Sequence, residues 1–286
     1  MVQGSRQLPT VRIRAERKGW GMERALERLS WPEVRAAASC PGSTVLWPFG
    51  AVEQHGPHLP LGTDALFADR VADAVLVRLA DDLPIWRLPV SWFGFSPEHA
   101  AFPGTCSVPA ELLIAQVMTI GAQLAATGFQ RLVLFNAHGG QIALLQVAAR
   151  QLRAAHPALA VLPCFLWSGP DGIGALLPEP ERSDGLHAGL AETSLMLHLQ
   201  PEWVGPDRPC DGQLQPPPPS GWSLEGAVPS AWLTADVSAT GVVGDARGAS
   251  AALGEQLFER LVAGWCERLE SLLASAWPPR GRLRSD

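Results

Sequence analysis

Short apolar runs alternate along the chain with longer segments in which apolar residues recur at helical spacing. The pattern predicts strands at residues 45–49, 85–90, 131–135 and 159–164, and helices at residues 22–38, 64–79, 109–126, 141–155, 189–199 and 248–273. Strands that alternate with helices of roughly a dozen residues indicate βαβ units. The sequence therefore predicts an α/β fold in which helices cover both faces of a mostly parallel sheet.

The longest apolar stretch covers residues 108–126, and Pro109 and Gly128 mark its helical limits. It is interrupted by Glu111, Gln116 and Gln123, so a continuous lipid-facing surface is not expected. The pattern predicts a buried helix rather than a membrane span.

The length of 286 residues is enough for one large domain with its own core, which we expect at residues 22–275. Residues 1–21 carry five basic side chains but no apolar core, so a signal peptide is not expected there. They are interpreted as a disordered tail or as an over-called start, with Met22 as the initiator. Residues 276–286 are interpreted as a C-terminal tail.

The composition limits the possible partners, the location of the protein and the side chains available for proton transfer. A net charge of -6 argues against nucleic acid and against an anionic membrane, because both require a basic surface. The five cysteines show no metal-binding or disulfide spacing, which predicts reduced thiols and a cytoplasmic protein. The chain has no Tyr, and Lys18 is its only Lys, so proton transfer must use His, Asp, Glu, Cys or water.

Groups that can bind a metal crowd the connection that follows the first predicted strand. In the stretch EQHGPHLPLGTD, Glu53 and His55 lie two residues apart, and Asp64 stands at the start of the next helix. Side chains two apart on an extended segment leave the same side of the backbone. Taken one at a time, these residues could equally be loop caps and a surface histidine. Together they predict that three ligands converge from one βα connection.

Two further segments carry the same chemistry. His138 lies in NAHGG directly after the strongest predicted strand, and HAGLAETSLML contains His187 and Glu192. Ligands of parallel sheets collect beyond the carboxyl ends of the strands, so these groups are expected to meet. Carboxylates and imidazoles without thiolates suit Zn²⁺, Mn²⁺ or Fe²⁺, and five ligands from among these six groups favour two ions with a shared hydroxide.

Other classes of protein fit less well. A serine or cysteine hydrolase would need a nucleophile motif, but no GxSxG occurs and Cys106 has no His or Asp context nearby. A nucleotide-binding protein would need a phosphate loop, but GPDGIG at Gly169 does not connect a strand to a helix. A non-catalytic assembly subunit that keeps a metal for stability stays open as an alternative.

The quoted motifs, together with GVVGDARGASAALG near the C-terminus, resemble the creatininase (creatinine amidohydrolase) family in the same order. The resemblance implies a three-layer α/β/α sandwich, a homohexamer, and a centre of two zinc, manganese or iron ions. It also implies hydrolysis of an amide C–N bond in a small substrate by a metal-bound hydroxide. Relatives include deformylases and a peptidase that trims a short precursor peptide of a redox cofactor, which is the alternative function.

By this resemblance, Glu53 and His138 bind one ion, His55 binds the other, and Asp64 bridges the two. Creatinine-hydrolysing members supply one more carboxylate from the position of Gly140, so we assign that role to Glu192. His187 matches the family's proton-transfer histidine, which donates to the leaving nitrogen.

The resemblance also points to residues around the substrate. Creatinine-opening members carry aromatic residues at the positions of Gly139 and Ser183, so creatinine itself is not the expected substrate, and Gly139 is expected to line an altered pocket. Trp167 matches an aromatic wall that could stack on a planar ligand, although it could equally be a plain core residue. His99 matches a recurring segment in which it would line the pocket entrance or stabilise a loop.

Overall fold

The structure is a computed structural model that describes residues 23–212 and 216–278. The tail expected at residues 1–21 and the proposed initiator Met22 lie outside the described residues, as does most of the expected C-terminal tail. Near that end, the carbonyl oxygens of Ser275 and Trp277 accept hydrogen bonds from the buried Arg131 guanidinium at 2.7 and 2.6 Å. The chain is therefore attached to the domain as far as Trp277.

Four strands form one parallel sheet, in the order β2-β1-β3-β4. They are β1 (Thr44–Phe49), β2 (Ile85–Arg87), β3 (Arg131–Asn136) and β4 (Ala160–Phe165). Thr44 pairs with Ile85 on one side and with Arg131 on the other, and Asn136 pairs with Phe165. The predicted parallel sheet is confirmed. β2 is shorter than expected because Pro89 has no N–H to continue regular pairing.

Helices account for most of the remaining regular structure. In chain order they are α1 (Trp31–Ala38), α2 (Thr63–Arg78), α3 (Ala110–Thr127), α4 (Ile142–Ala155), α5 (Glu181–Asp184), α6 (Leu190–Leu199), α7 (Thr234–Val237) and α8 (Ala251–Ala274). The short strands β5 (Cys210–Asp211) and β6 (Gly244–Asp245) form a separate antiparallel pair. The predicted helix 22–38 was wrong in its first half. Residues Leu26–Arg28 form a single 3-10 turn, and α1 begins after Ser30, whose N–H donates to Glu33.

The helices cover both faces of the sheet. Alternate residues of a strand point to opposite faces. Val45, Trp47 and Phe49 face the layer that contains α1, α3 and α4, whereas Leu46, Val133 and Phe135 face α2, α6 and α8. The expected three-layer α/β/α arrangement is therefore confirmed, with one buried apolar cluster on each side of the sheet.

Helix α3 differs from its prediction as a buried helix. Only the face with Leu113, Val117, Gly121 and Leu124 is buried, and Leu112 is 57% exposed. By length and composition alone, α3 is apolar enough to cross a bilayer, a property that core helices share, and 17% of it is buried. The expectation failed because an apolar sequence does not reveal how much of a helix surface the sheet can cover.

The carboxyl ends of the central strands open at the same edge of the sheet. The connection from β1 to α2 begins at Gly50, and the connection from β3 to α4 begins at Ala137, whose N–H donates to Phe49 O at 2.9 Å. A Cβ at Gly50 would overlap the backbone of Ala65 in α2. This close approach brings the start of α2 against the end of β1, and it places Asp64 beside the loop of Glu53.

Candidate metal centre

The β1–α2 connection folds back on itself above the sheet. Glu53 N donates to Leu61 O at 2.9 Å, and His55 forms isolated bridges with Pro57 and Leu59. Glu53, His55 and Asp64 are all buried, with at most 2% of each residue exposed. His55 Nε2 lies 3.5 Å from Asp64 Oδ1. The connection therefore brings these three side chains together, as their spacing predicted.

His138 reaches the same place from the end of β3. Its Nδ1 lies 3.2 Å from Glu53 Oε1 and 3.2 Å from Asp64 Oδ2. The backbone around it is held by Asn136, whose side chain accepts from His138 N at 3.0 Å and donates to His138 O at 2.6 Å. Two connections that are far apart in sequence thus meet at one edge of the sheet.

Potential ligand atoms form three overlapping groups, each with all its atoms within 4.8 Å of one another. They are Glu53 with Asp64 and His138, His55 with Asp64 and Glu192, and Glu53 with His55 and His187. Asp64 belongs to the first two groups. This geometry is compatible with two ions that share Asp64, and it places Glu192 on the side of His55.

The buried polar atoms of this centre lack hydrogen-bond partners among the described residues. These atoms are the two carboxylate oxygens of Glu53, the Nε2 of His55 and the Oδ2 of Asp64. A buried polar group without a partner costs about 1–3 kcal/mol, and more when it is charged. Cations would satisfy these atoms, and the donor set of imidazole nitrogens and carboxylate oxygens suits Zn²⁺, Mn²⁺ or Fe²⁺. The residues therefore fit a metal centre.

Strong coupling between the acids and imidazoles appears in their pKa values. Burial lowers the pKa of His55, but Asp64 and other nearby carboxylates outweigh this effect and raise it to about 9. Burial raises the pKa of Asp64, yet His55 and His138 hold it well below its ordinary value. For Glu192, burial raises the pKa to about 7. Metal ions would compete with protons for these groups, so binding is expected to release protons.

His187 presents one nitrogen to the centre and uses the other to anchor itself. Its Nε2 lies 2.7 Å from Gln54 O, and because a carbonyl oxygen only accepts, Nε2 carries the proton. Its Nδ1 lies 3.9 Å from Glu53 Oε1. Burial, helped by the positive charge of His55, lowers the pKa of His187 well below its ordinary value. His187 is therefore a neutral imidazole whose free lone pair faces the site.

His99 lies next to His187 and Glu53. His99 is buried, and its ring stacks on that of His187 with centroids 4.1 Å apart. Its Nδ1 lies 2.8 Å from Gln54 Nε2 and 2.6 Å from Thr234 Oγ1, while its Nε2 lies 3.3 Å from Glu53 Oε1. His99 thus contacts both Glu53 and His187, and its place at a pocket entrance stays a prediction.

Glu192 is held by the loop that precedes its helix. Its Oε2 accepts from Ala188 N at 2.7 Å, and Ala188 has a positive φ of 53°. Such a φ is uncommon for a residue with a Cβ, and it is often found where a tight turn serves a site. The turn thus brings both His187 and Glu192 close to His55, each in a different ligand group.

The two other expected substrate contacts have different surroundings. The ring of Trp167 packs edge-to-face on Phe67 with centroids 5.8 Å apart, and its Nε1 is buried without a partner among the described residues. This contact agrees with a core role for Trp167, and its role as a pocket wall stays a prediction. A Cβ at Gly139 would meet no described atom within 4 Å, so space is open at that position.

Sequence reasoning missed two residues of the site. Gln54 joins His99 through its side chain and His187 through its carbonyl oxygen. Glu98, on a 3-10 turn, lies 3.5 Å from His138 Nε2. The adjacency of Gln54 to Glu53 and His55 was the only available signal for the first. Glu98 had none, because its contact with His138 depends on how the turn packs.

Comparisons with known proteins identify relatives of this chain. The family model described as "Creatininase: Creatinine amidohydrolase" matches residues 27–269. A mycofactocin precursor peptide peptidase of Mycobacterium tuberculosis (strain ATCC 25618 / H37Rv) is 37% identical over 83% of this chain and 86% of its own. A creatinine amidohydrolase of Pseudomonas putida is 31% identical over 82% of this chain and 92% of its own.

Solved structures show the same fold. A structure named "Creatininase Mn" superposes with a TM-score of 0.69 and 28% identity, over 89% of this chain and all of that one. A putative creatinine amidohydrolase from Bacteroides fragilis, at 22% identity, has a TM-score of 0.73 over 90% of this chain and 99% of its own. The family model matches most of the chain, and the relatives above 30% identity point to the same family. The chain belongs to the creatininase family of amidohydrolases.

Proposed function

We propose that this protein hydrolyses an amide C–N bond with the help of two divalent metal ions. Glu53 and His138 would hold one ion. His55 and Glu192 would hold the other ion, and Asp64 would bind both. The observation that carries the proposal is the set of four buried polar atoms on Glu53, His55 and Asp64 without partners among the described residues. Structures named for creatininases with manganese and with a zinc pair support this choice of metals, and iron remains compatible with the donor set.

When bound, two such ions would polarise the scissile carbonyl and activate a water molecule at neutral pH. The protein's own contribution to proton transfer comes from His187. Its Nε2–H is anchored on Gln54 O, so only Nδ1 can accept a proton from the attacking water. The same nitrogen then returns that proton to the leaving nitrogen as the C–N bond breaks. General acid–base help of this kind is typically worth 10²–10⁴-fold in rate.

The alternative of a non-catalytic assembly subunit is less well supported. Such a subunit would need the metal ligands for stability, but it would have no use for a neutral histidine whose free nitrogen faces them. His187 is buried, its tautomer is set by Gln54, and its ring is supported by His99. This arrangement favours an enzyme.

A short peptide is the substrate that we favour. Mycofactocin precursor peptide peptidases match this chain at 35–37% identity, compared with 31% for the creatinine amidohydrolase. Gly139 and Ser183 also replace the aromatic residues expected around a small ring, and the space at Gly139 is open. The open space at Gly139 would leave room for a chain that extends beyond the scissile bond.

A small cyclic amide or a formamide is the second candidate. It is supported by the match to a creatinine amidohydrolase over 92% of that protein. The buried, unpartnered Trp167 Nε1 could donate a hydrogen bond to such a ligand if the Trp167 ring forms one wall of the pocket. The two candidates differ in whether the substrate extends past the metal centre.

A substrate screen with purified protein loaded with Mn²⁺, Zn²⁺ or Fe²⁺ separates these candidates. Short peptides, cyclic amides, formamides and creatinine are incubated with the protein, and products are identified by mass spectrometry. Cleavage of peptides and not of the small amides supports the favoured substrate, and the reverse result supports the second. Glu53→Gln is the matched control, and no turnover of any amide by well-folded, metal-loaded protein would contradict the proposal.

A homo-oligomer, with a hexamer as the form that the resemblance implies, is the proposed assembly. Leu112 on α3 and Val147 on α4 are exposed apolar residues on one layer of the molecule, which is compatible with contacts between copies. Light scattering coupled to size-exclusion chromatography measures the mass directly. A cytoplasmic location stays a prediction that rests on the spacing of the cysteines.

A further inference from the structure

The carboxylate of Glu98 lies close to the metal centre, on the far side of His138. Glu98 belongs to the 3-10 turn Pro97–His99, and its side chain is 14% exposed. Its Oε1 lies 3.5 Å from His138 Nε2, which is its only ion-pair partner among the described residues. The proposed function gives this partly buried acid no role.

The two nitrogens of His138 have different surroundings. Nδ1 faces the carboxylates of Glu53 and Asp64, and it is therefore the nitrogen available to an ion. Nε2 faces Phe95 O at 3.0 Å, Ser96 Oγ at 3.3 Å and then Glu98. A metal-binding histidine almost always donates its other N–H to a carbonyl or a carboxylate, which orients the ring and strengthens the ligand. His138 has both kinds of acceptor.

Gly140 leaves the space that Glu98 occupies. A Cβ at position 140 would overlap Glu98 Oε1 and would lie 2.7 Å from His138 Nε2. Any side chain at that position would therefore have to displace the Glu98 carboxylate. The position of Glu98 thus depends on the absence of a side chain at Gly140.

We propose that Glu98 is a positioning residue of the metal centre, and this inference rests on the proposed function. Phe95 O accepts the Nε2–H of His138, and the negative charge of Glu98 nearby stabilises that tautomer and makes Nδ1 a stronger ligand. Glu98 acts on the ion that Glu53 and His138 hold. It has no such contact with the groups that hold the other ion, His55 and Glu192, so its effect is confined to one of the two ions.

Metal titration of the full chain tests this inference without any measurement of activity. Zn²⁺ is titrated into metal-free protein in competition with a chromophoric chelator, and circular dichroism checks the fold of each variant. For wild-type protein we expect two tight equivalents. For Glu98→Gln we expect one equivalent of unchanged affinity and one weakened by about tenfold, the lower end of the range for such partners. Glu111→Gln, an exposed acid at the start of α3, is the matched control and should behave as wild type.

A second variant, Gly140→Ala, tests the same contact and keeps the negative charge of Glu98. Gly140→Ala should displace Glu98 and also crowd His138 Nε2, so it should weaken the same equivalent at least as much. In a His138→Ala background, Glu98→Gln should cause no further loss, because Glu98 acts through that ring.

Three results would overturn the inference. The first is two equivalents of wild-type affinity in Glu98→Gln, and the second is an equal loss from Glu98→Gln with and without His138. Fewer than two equivalents in the wild-type protein is the third, and it alone would contradict the proposed two-ion centre as well.

Discussion

At the scale of single residues, Asp64 is the side chain on which the proposed centre most depends. It lies 3.5 Å from His55 and 3.2 Å from His138, and it belongs to two of the three ligand groups. Its position in the first turn of α2 also places a negative charge where the helix dipole favours one. Glu53 and His55 also belong to two groups each, but only Asp64 is common to the group with His138 and the group with Glu192 among the described residues.

Asp64→Asn should remove tight binding of both ions, because an amide oxygen is a weaker ligand and cannot bridge two cations. We expect bound metal to fall from two equivalents to well under one, and turnover to fall by at least about 10³-fold. Elemental analysis of the purified variant measures the metal. Asp82→Asn, an exposed acid, is the control, and full occupancy in Asp64→Asn would show that the bridge is wrongly assigned.

His187→Ala should lower the rate of hydrolysis and leave the amount of bound metal unchanged. In His187→Ala the ligands Glu53, His55 and Asp64 stay in place, so we expect two equivalents of metal to be retained. The rate constant kcat should fall by about 10²–10⁴-fold, the usual contribution of a general acid–base. Parallel metal analysis and kinetics check both halves of this expectation. A variant that lost metal in proportion to its activity would instead identify His187 as a ligand.

At the scale of elements, the contact between β1 and α2 determines where the ligands lie. A Cβ at Gly50 would overlap the backbone of Ala65, the neighbour of Asp64. Gly50→Ala should therefore force β1 and α2 apart and lower the free energy of unfolding by about 1–3 kcal/mol or more. Chemical denaturation measures this change. Gly139→Ala is the matched control for stability, because its Cβ would meet open space, and equal stability of the two variants would contradict the close contact.

A second element-scale contact supports the loop that holds His187. Asp211 Oδ2, at the end of β5, accepts from Ser238 Oγ, from the backbone N–H groups of Ala239 and Thr240, and from Thr240 Oγ1, at 2.8–3.0 Å. The segment then leads to Val243, which exchanges two backbone hydrogen bonds with His187. The carboxylate of Asp211 thus holds residues 238–240, which lead to the residue that pairs with His187.

The stability that Asp211 provides should depend on pH. Burial raises the pKa of Asp211, but the hydrogen bonds from Thr240 and Gly212 outweigh it and lower it to about 2. A folded pKa below the unfolded value of about 3.9 means that the contribution is complete above pH 4 and is lost as the pH falls towards 2. Asp211→Asn should lower the free energy of unfolding by about 1–3 kcal/mol at pH 7. Denaturation at pH 7, 5 and 3 should show the difference from wild type narrowing at pH 3, whereas a difference that grows towards acid would contradict it.

At the scale of the whole molecule, the metal centre should stabilise the fold that builds it. It joins two strand-to-helix connections and the start of α6 at one sheet edge. A ligand at 100 times its dissociation constant adds about 2.7 kcal/mol to the free energy of unfolding. Removal of metal with a chelator should therefore lower Tm by roughly 5–10 °C for a chain of this size. Scanning calorimetry measures Tm with and without chelator. Asp64→Asn should show little further shift, and an unchanged Tm in wild-type protein would contradict a tightly bound centre.

Much of this architecture was predictable from local patterns. The order of strands and helices, the parallel sheet and the convergence of Glu53, His55, Asp64 and His138 follow from apolar periodicity and from the rule that parallel strands share a carboxyl edge. The partial exposure of α3 was not predictable, because burial depends on what packs against a helix. The contacts of His99 with Glu53 and His187 were not predictable either, since a 3-10 turn has no periodicity to orient its side chains.

The sequence by itself determined the family, the alternation of strands and helices, and the chemical nature of the ligands, because these depend on residue types and on their spacing. Only the tertiary structure decided how the ligand atoms are grouped, which nitrogen of His187 faces them, and that Glu98 lies over Gly140 beside His138. These features arise from contacts between segments that are tens of residues apart. The packing of the β1, β3 and α6 connections sets those distances, and local sequence does not encode them.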